Sequence, residues 1–191
     1  MNQSKIILGS GSPRRKQLLI DMGFQIEVCA LDIDESYPAL LSCDEVASYI
    51  ANEKMKVLKE NKEDDYMLLT ADTTVISENQ LLGKPDEVEN AKGMLTKLSG
   101  KSHIVNTAVE LAYKGKVEKI SCFTEVYFNS LSTEQIAYYI SHFNPFDKAG
   151  SYGIQDWIGL IGINRINGSY TNVVGLPTDE CFKSIQKLLN S

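Results

Sequence analysis

The chain has 191 residues, 43% of them hydrophobic and 23% charged, with a formal net charge of -6. That length allows one sizeable core, and the balance is that of a globular chain, not a disordered one. The acidic total excludes broad binding of a nucleic-acid polymer, which needs a basic face. No apolar run is long enough to span a bilayer, so a membrane is not an expected partner.

Met1 leads almost directly into a strand-like segment, without the apolar core and small-residue cleavage site of a secretory signal, so a cytoplasmic location is expected. The segment KIILGS reads as a short buried strand. SPRRKQLLIDMG reads as a helix, with Ser12 as N-cap, Pro13 at the first helical position and Gly23 as the stop. QIEVCALDID alternates and predicts a strand over 25–34. SCDEVASYIANEKMKVLKENK predicts a helix over 42–62, with Ser42 and Glu45 as a capping box and Val46, Ile50 and Val57 as one apolar stripe. YMLLTADTTVIS reads as a buried strand with a polar interruption near its end. DEVENAKGMLTKLSG predicts an amphipathic helix capped at Asp86 and stopped at Gly100.

HIVNTAVELAYKG and KVEKISCFTEVYF read as two strands of an antiparallel hairpin that turns at Lys114-Gly115-Lys116. STEQIAYYISHF is a helix with a second capping box, Ser132 and Gln135. NPFDKAGSYGIQD reads as a loop, WIGLIGINRI as a strand and CFKSIQKLLNS as a closing helix. The pattern predicts an α/β fold with a mixed sheet. Cys29, Cys43, Cys122 and Cys181 form no C-x-x-C pair and read as reduced structural thiols. His103 and His142 stand alone, so a zinc site is not expected, and His103 suits a structural hydrogen bond within its strand.

The chemistry concentrates in a few places. Arg14 and Arg15 sit where a helix begins, the end whose dipole is already positive. A strand, a small-residue loop and a helix N-terminus together suit a bound polyanion, which would reverse that cost. The loop is neither a Walker A nor a dinucleotide fingerprint, and two solvated surface arginines are the plain alternative. Asp72 lies in an otherwise apolar run, which is costly unless the carboxylate is paired, hydrogen-bonded or metal-bound; a turn residue at the end of the strand is the plain alternative. Lys84, between Gly83 and Pro85, is a point charge on a rigid turn, and Lys54 follows Ile50 by four residues near the apolar stripe of its helix. Solvation and snorkelling are the plain alternatives for these two lysines. Asp32, Asp34 and Glu35 offer oxygen ligands suited to Mg²⁺ or Mn²⁺, or form a merely solvated acidic loop. Asp147 and Lys148 adjoin a loop ending in Gln155, whose amide can address a base edge as both donor and acceptor; taken alone, the segment reads as an ordinary polar loop. Bases plus carboxylates without a nucleophile triad suit metal-assisted phosphoryl chemistry better than acyl transfer.

The stretches LGSGSPRRKQLL, DIDES, TADTTV, GKP, LSGKSHIVNTAV, DKAGSYGIQ and INGSYTNVVGLP, in this order, resemble the Maf family of nucleoside triphosphate pyrophosphatases. Gly9, where many members carry Ala, and Thr178, where Leu often follows GLP, are mild departures. The resemblance covers nearly the whole chain and implies a single Maf-like domain, residues 1–191. It implies an inosine triphosphatase-like fold: an elongated, twisted mixed sheet with flanking helices, shaped as two lobes around a deep cleft. It also implies cleavage of a nucleoside triphosphate between its α- and β-phosphates with a divalent metal cation, Mg²⁺ or Mn²⁺. Carried onto this chain, Arg15, Lys54 and Lys84 would hold the triphosphate, and Ser10 and Ser12 would line the phosphate loop. Asp72 would act as general base and metal ligand, and Glu35 as metal ligand.

Arg14, Thr73 and Gln155 resemble the branch that prefers dTTP and UTP; a second branch, preferring 7-methyl-GTP, typically has Trp, Gln and Glu there. The resemblance thus implies hydrolysis of dTTP, UTP and modified pyrimidine nucleotides, in a chain that often pairs as a homodimer in its family. The competing readings are a nucleotide-binding regulator of septum formation with little catalysis, and a pyrophosphatase of the 7-methyl-GTP branch. Removal of noncanonical nucleotides, pool control and division arrest are all roles compatible with that chemistry.

Overall fold

The computed structural model describes residues 5–60 and 65–190. Its elements are β1 (Lys5–Leu8), α1 (Pro13–Asp21), β2 (Gln25–Val28), α2 (Cys43–Glu60), β3 (Met67–Ser77), β4 (Gln80–Leu82) and α3 (Val88–Leu98). There follow β5 (Ser102–Tyr113), β6 (Lys116–Phe128), α4 (Thr133–Phe143), α5 (Trp157–Gly162), β7 (Ile163–Asn167), α6 (Tyr170–Val174) and α7 (Thr178–Leu189). The strands form one sheet in the order β2-β1-β3-β5-β6-β7, with β4 pairing β3 off this path. Strand β1 runs parallel to β2 and β3, whereas the β3/β4 and β6/β7 pairs are antiparallel. The expected mixed α/β sheet is what the chain forms. Among the described residues no helix is long and apolar enough to cross a membrane.

The chain divides into two compact units, one of residues 1–72, 107–122 and 175–191, the other of 73–106 and 123–174. In the first unit β1 is buried on both faces, which is why KIIL shows no alternation. Ile6 and Leu8 pack with Leu19 of α1 and Ile185 of α7, and Ile7 packs with Met55 and Leu58 of α2. In the second unit Leu95 and Leu98 of α3, Val126 and Phe128 of β6 and Ile136, Tyr139 and Ile140 of α4 share a core.

Several sequence expectations are corrected. Strand β2 ends at Val28, and 29–42 carry no helix or strand, so the acidic run lies in a loop. The buried face of α2 is Val46, Ile50, Lys54 and Leu58 with Ala47, Ala51 and Met55, while Val57 is only half-buried. The four-residue spacing had a lysine inside the stripe, and a reading by hydropathy alone steps over it to the next valine. Asn61 and Lys62, the end of that predicted helix, lie outside the described residues, as does Ser191 at the end of the closing one. At α2 the Glu45 carboxylate accepts from the Ser42 N–H (2.9 Å) and hydroxyl (2.7 Å). Helix α3 is capped at Glu87, without a side-chain cap bond, because Asp86 instead accepts from the Asn90 amide. WIGLIGINRI splits into a helical turn and a short strand, and the closing helix starts at Thr178 instead of Cys181. The predicted loop 144–156 contains two 3-10 turns, Pro145–Asp147 and Ala149–Ser151. Helix α4 has its full capping box at Ser132 and Gln135, and the β5–β6 turn places Lys114 and Gly115 at positive φ (47° and 76°), as a two-residue hairpin requires.

Candidate functional site

In the first unit the Ser12 hydroxyl caps α1 by accepting from the Arg15 N–H, and Pro13 occupies the first turn. The two arginines then part. Arg14 is half-buried, whereas Arg15 is 8% exposed. Arg15 Nε donates to the Gly175 carbonyl at 2.8 Å and Nη1 donates to Ser10 Oγ at 2.9 Å. Ser10 Oγ also accepts from the Ser12 N–H at 3.3 Å, so the small-residue loop is tied to the guanidinium. Burial lowers the Arg15 pKa and Arg14 lowers it further, while Asp72 and Glu35 raise it. A planar guanidinium keeps its charge through such a shift and is held here in one orientation. A Cβ on Gly9, at the end of β1, would lie 2.8 Å from Thr70 Cγ2 and 3.0 Å from Leu58 Cδ2, so packing on this loop favours the missing methyl.

Lys54 points inward from α2. Its Nζ lies 2.8 Å from Asp72 Oδ1 and 2.7 Å from Glu35 Oε1. The side chains of Lys54 and Asp72 are 10% and 13% exposed, and that of Glu35, on the loop after β2, is 46% exposed. Asp72 is the sixth of eleven residues in β3, not near its end as its polarity suggested. It does lie beyond the section that pairs with β1, whose last pair is Leu8 with Leu69. The usual ligand position outside parallel strand ends is therefore met by register and not by strand termination. Burial pushes the Asp72 carboxyl up; Lys54 and Arg15 pull it down, and Glu35 pushes it up again. Snorkelling does not describe Lys54: its ammonium is enclosed and paired.

Asp34 is exposed and accepts the N–H and hydroxyl of Ser36, both at 2.9 Å, and Asp32 is also exposed. Within this acidic run it is Glu35 that reaches Lys54. Among the described residues no group of three or more His, Cys, Asp or Glu side chains converges on a metal position. Two carboxylates do converge on one cation, the Lys54 ammonium. Hard oxygen donors facing a common positive charge fit Mg²⁺ or Mn²⁺, which take one or two protein carboxylates and complete their shell with water and substrate phosphates.

The second unit begins at Thr73, half-buried in β3. Lys84 is exposed between Gly83 and the buried Pro85, and the Gly83 carbonyl accepts from the Gly150 N–H at 3.0 Å, which fixes the turn. Gln155 is exposed on the turn 153–156, closed by Asp156 N–H donating to the Gly153 carbonyl at 3.0 Å. The structure thus brings Ser10, Ser12, Arg15, Glu35, Lys54 and Asp72 together in one unit and sets Thr73, Lys84 and Gln155 in the other. Sequence reasoning did not assign Tyr139, whose hydroxyl donates to Asp156 Oδ2 at 2.7 Å across 17 residues of chain. Its sequence signal, a tyrosine in an apolar helical stripe, is shared with any core aromatic. His103 bonds Tyr152 through Nε2 at 2.7 Å, a structural role within the second unit.

The model of the family described as Maf-like protein matches residues 5–188. A dTTP/UTP pyrophosphatase of Phocaeicola vulgatus is 47% identical over 189 residues, covering 98% of each chain. One of Flavobacterium psychrophilum is 46% identical, covering 94% of this chain and 92% of its own. One of Christiangramia forsetii is 41% identical over 191 residues, covering 100% of this chain and 97% of its own. Among solved structures, a nucleoside-triphosphatase (dITP/XTP pyrophosphatase) of Mycobacterium abscessus superposes with a TM-score of 0.43 at 14% identity, covering 97% of this chain and 94% of that one, too loosely for residue correspondences.

Proposed function

The chain belongs to the Maf family, and from that premise we propose that it hydrolyses dTTP and UTP to the monophosphate and pyrophosphate, with a divalent cation. The observation that carries this reading is the buried Lys54 ammonium shared by Asp72 and Glu35, with Arg15 close enough to affect Asp72. A protein that only binds nucleotides needs the cations; two carboxylates beside a polyanion repel it unless a metal stands between them.

In this reading Asp72 takes the proton from the water that attacks the phosphoanhydride. Its raised pKa suits that role, because a stronger base is a better proton acceptor near neutral pH. Arg15, pre-oriented by Ser10 and Gly175, offers fixed N–H donors to phosphate oxygens and needs no reorganisation during the reaction. Lys54 has three donors, of which two are directed to carboxylates, and the third suits a phosphate oxygen. Lys84, on its rigid turn, is carried over from the family pattern as a further cation for the triphosphate. Asp72 and Glu35 are the residues to hold Mg²⁺ or Mn²⁺, which when bound neutralises phosphate charge and polarises the bond to be cleaved. Arg14, Thr73 and Gln155 select the base, the neutral Gln155 amide suiting a pyrimidine edge. Both units serve as parts of one Maf-like domain acting in the cytoplasm, alone or as a homodimer.

Pyrophosphate release from UTP, dTTP and 7-methyl-GTP, measured with Mg²⁺ and then with EDTA, tests the proposal. We expect turnover of the two pyrimidine nucleotides that EDTA abolishes. Preference for the methylated purine would move the chain to the other branch, and binding without turnover would make it a regulator. Asp72→Asn is expected to keep the fold and much of the nucleotide affinity while kcat falls by two orders of magnitude or more, roughly the contribution of a positioned general base. Near-normal pyrophosphate release by that variant would overturn the assignment.

A further inference from the structure

Tyr139 is fully buried in α4, stacked against Phe143 at a centroid distance of 5.4 Å. A phenol in a core needs a partner for its hydroxyl, and this one has two. It donates to Asp156 Oδ2 at 2.7 Å and accepts the Gly153 N–H at 3.0 Å. Gly153 and Asp156 are the two ends of the turn that carries Gln155, and they are also bonded to each other, Asp156 N–H to Gly153 carbonyl. A single hydroxyl thus pins both ends of a four-residue turn. The Gln155 amide, although exposed, lies over the first residue of this turn. A Cβ placed on Gly153 would lie 2.9 Å from Gln155 Nε2 and 2.6 Å from Asp156 Oδ2, so both side chains fold back over the glycine backbone. The Lys148 ammonium, 3.7 Å from Asp156 Oδ2 and 2.8 Å from Asp147 Oδ1, offsets the negative charge beside the turn.

We propose that Tyr139 and Asp156 are positioning residues that fix the Gln155 amide and so set the chain's choice among nucleobases. This rests on the reading of Gln155 as the base-recognising side chain. An amide presents a donor on one side and an acceptor on the other, so it discriminates only when its orientation is held; an amide free to turn accepts either pattern. The Tyr139 hydroxyl supplies that restraint from the core, without touching the nucleotide.

The test compares kcat and KM for UTP and GTP, together with the thermal midpoint, in Tyr139→Phe, Asp156→Ala, Asp156→Asn and Gln155→Ala. Tyr139→Phe and Asp156→Ala are expected to lower the UTP-to-GTP ratio of kcat/KM by roughly tenfold, mainly through KM for UTP, as Gln155→Ala does. Asp156→Asn keeps an acceptor for the phenol and should hold the ratio near that of the parent chain. Adding Tyr139→Phe to Gln155→Ala should change the ratio no further, since a positioning residue has nothing left to position. If Tyr139→Phe and Asp156→Ala lower the midpoint but leave the ratio unchanged while Gln155→Ala shifts it, the phenol is a fold contact only and the proposal is wrong. If Gln155→Ala itself leaves the ratio unchanged, the reading of Gln155 fails and the positioning role falls with it. Asp156, with a side chain 17% exposed, tolerates replacement better than Tyr139 and keeps the test decisive should Tyr139→Phe fold poorly.

Discussion

Arg14 and Arg15 are adjacent and chemically identical, yet one is half-buried and the other is locked by Ser10 and Gly175. The difference is angular, because successive residues of a helix point about 100° apart. The cost of cations at a helix N-terminus is visible in the sequence; which of the two turns inward is decided by what lies beneath α1. Lys54 teaches the same lesson from a position inside an apolar stripe. Removing one partner of a buried ion pair leaves the other uncompensated, whereas an exposed partner is replaced by water. Lys54→Met is therefore expected to lower unfolding free energy by about 3 kcal/mol, because it strands the Asp72 carboxylate. Glu35→Gln, half-exposed, should cost less than about 1 kcal/mol. Urea unfolding of the two variants at neutral pH checks the order; equal losses would mean that Asp72 does not depend on Lys54.

At the scale of elements, strong local signals were legible and contested ones were not. Ser12-Pro13, the Ser132/Gln135 box and the Lys114-Gly115 turn act within a few residues, so their outcome follows from local geometry alone. WIGLIG is a run of apolar residues and glycines without a decisive period, and its helical turn is imposed from outside. A Cβ on Gly159 would lie 1.8 Å from the Ile154 carbonyl oxygen, so the helix sits directly on the turn that precedes it. Gly159→Ala should destabilise by several kcal/mol or fail to fold, on the order of the larger effects known for strained or overpacked sites. Gly93, mid-helix in α3, where a Cβ would meet nothing within 4 Å beyond its chain neighbours and its own helix backbone, should behave oppositely. Gly93→Ala is expected to stabilise by about 0.5–1 kcal/mol, read as a raised thermal midpoint. Strand β4 was missed because its hairpin turns on Glu78-Asn79, both at positive φ (52° and 59°), and not on the Asn-Gly or Asp-Gly pair that marks such turns.

At the scale of the whole molecule, pH tests the packing. His103 is buried among Phe128 and Tyr152, and desolvation lowers its pKa from 6.5 to about 4. The unfolded chain therefore binds a proton between these values that the folded chain refuses, and stability falls as pH drops from above 6.5 towards 4. Integrated down to pH 4.5, that linkage amounts to roughly 2–3 kcal/mol for one histidine. Denaturant titrations at pH 7.5 and 4.5 should show the loss, and His103→Gln should reduce the difference by that amount. An unchanged pH dependence in the variant would show that His103 titrates normally. His103 makes a structural hydrogen bond, but to Tyr152 and not within its own strand as expected, and its Nδ1 is buried with no hydrogen-bond partner.

The sequence by itself determined the mixed α/β class, the starts of α1, α2 and α4, the β5–β6 hairpin and the short list of polar residues worth attention. These follow from hydropathy period, caps and turn chemistry, which are local, or from the cost of a charge in an apolar run, which holds wherever the run folds. Only the tertiary structure decided that Lys54, Asp72 and Glu35 share one cation, that Arg15 is the arginine held by Ser10 and Gly175, and that Tyr139 holds the Gln155 turn. Each of these joins elements distant in the chain. Which partner a buried charge or hydroxyl finds depends on strand register and helix rotation, and those are set by the packing of all the elements together.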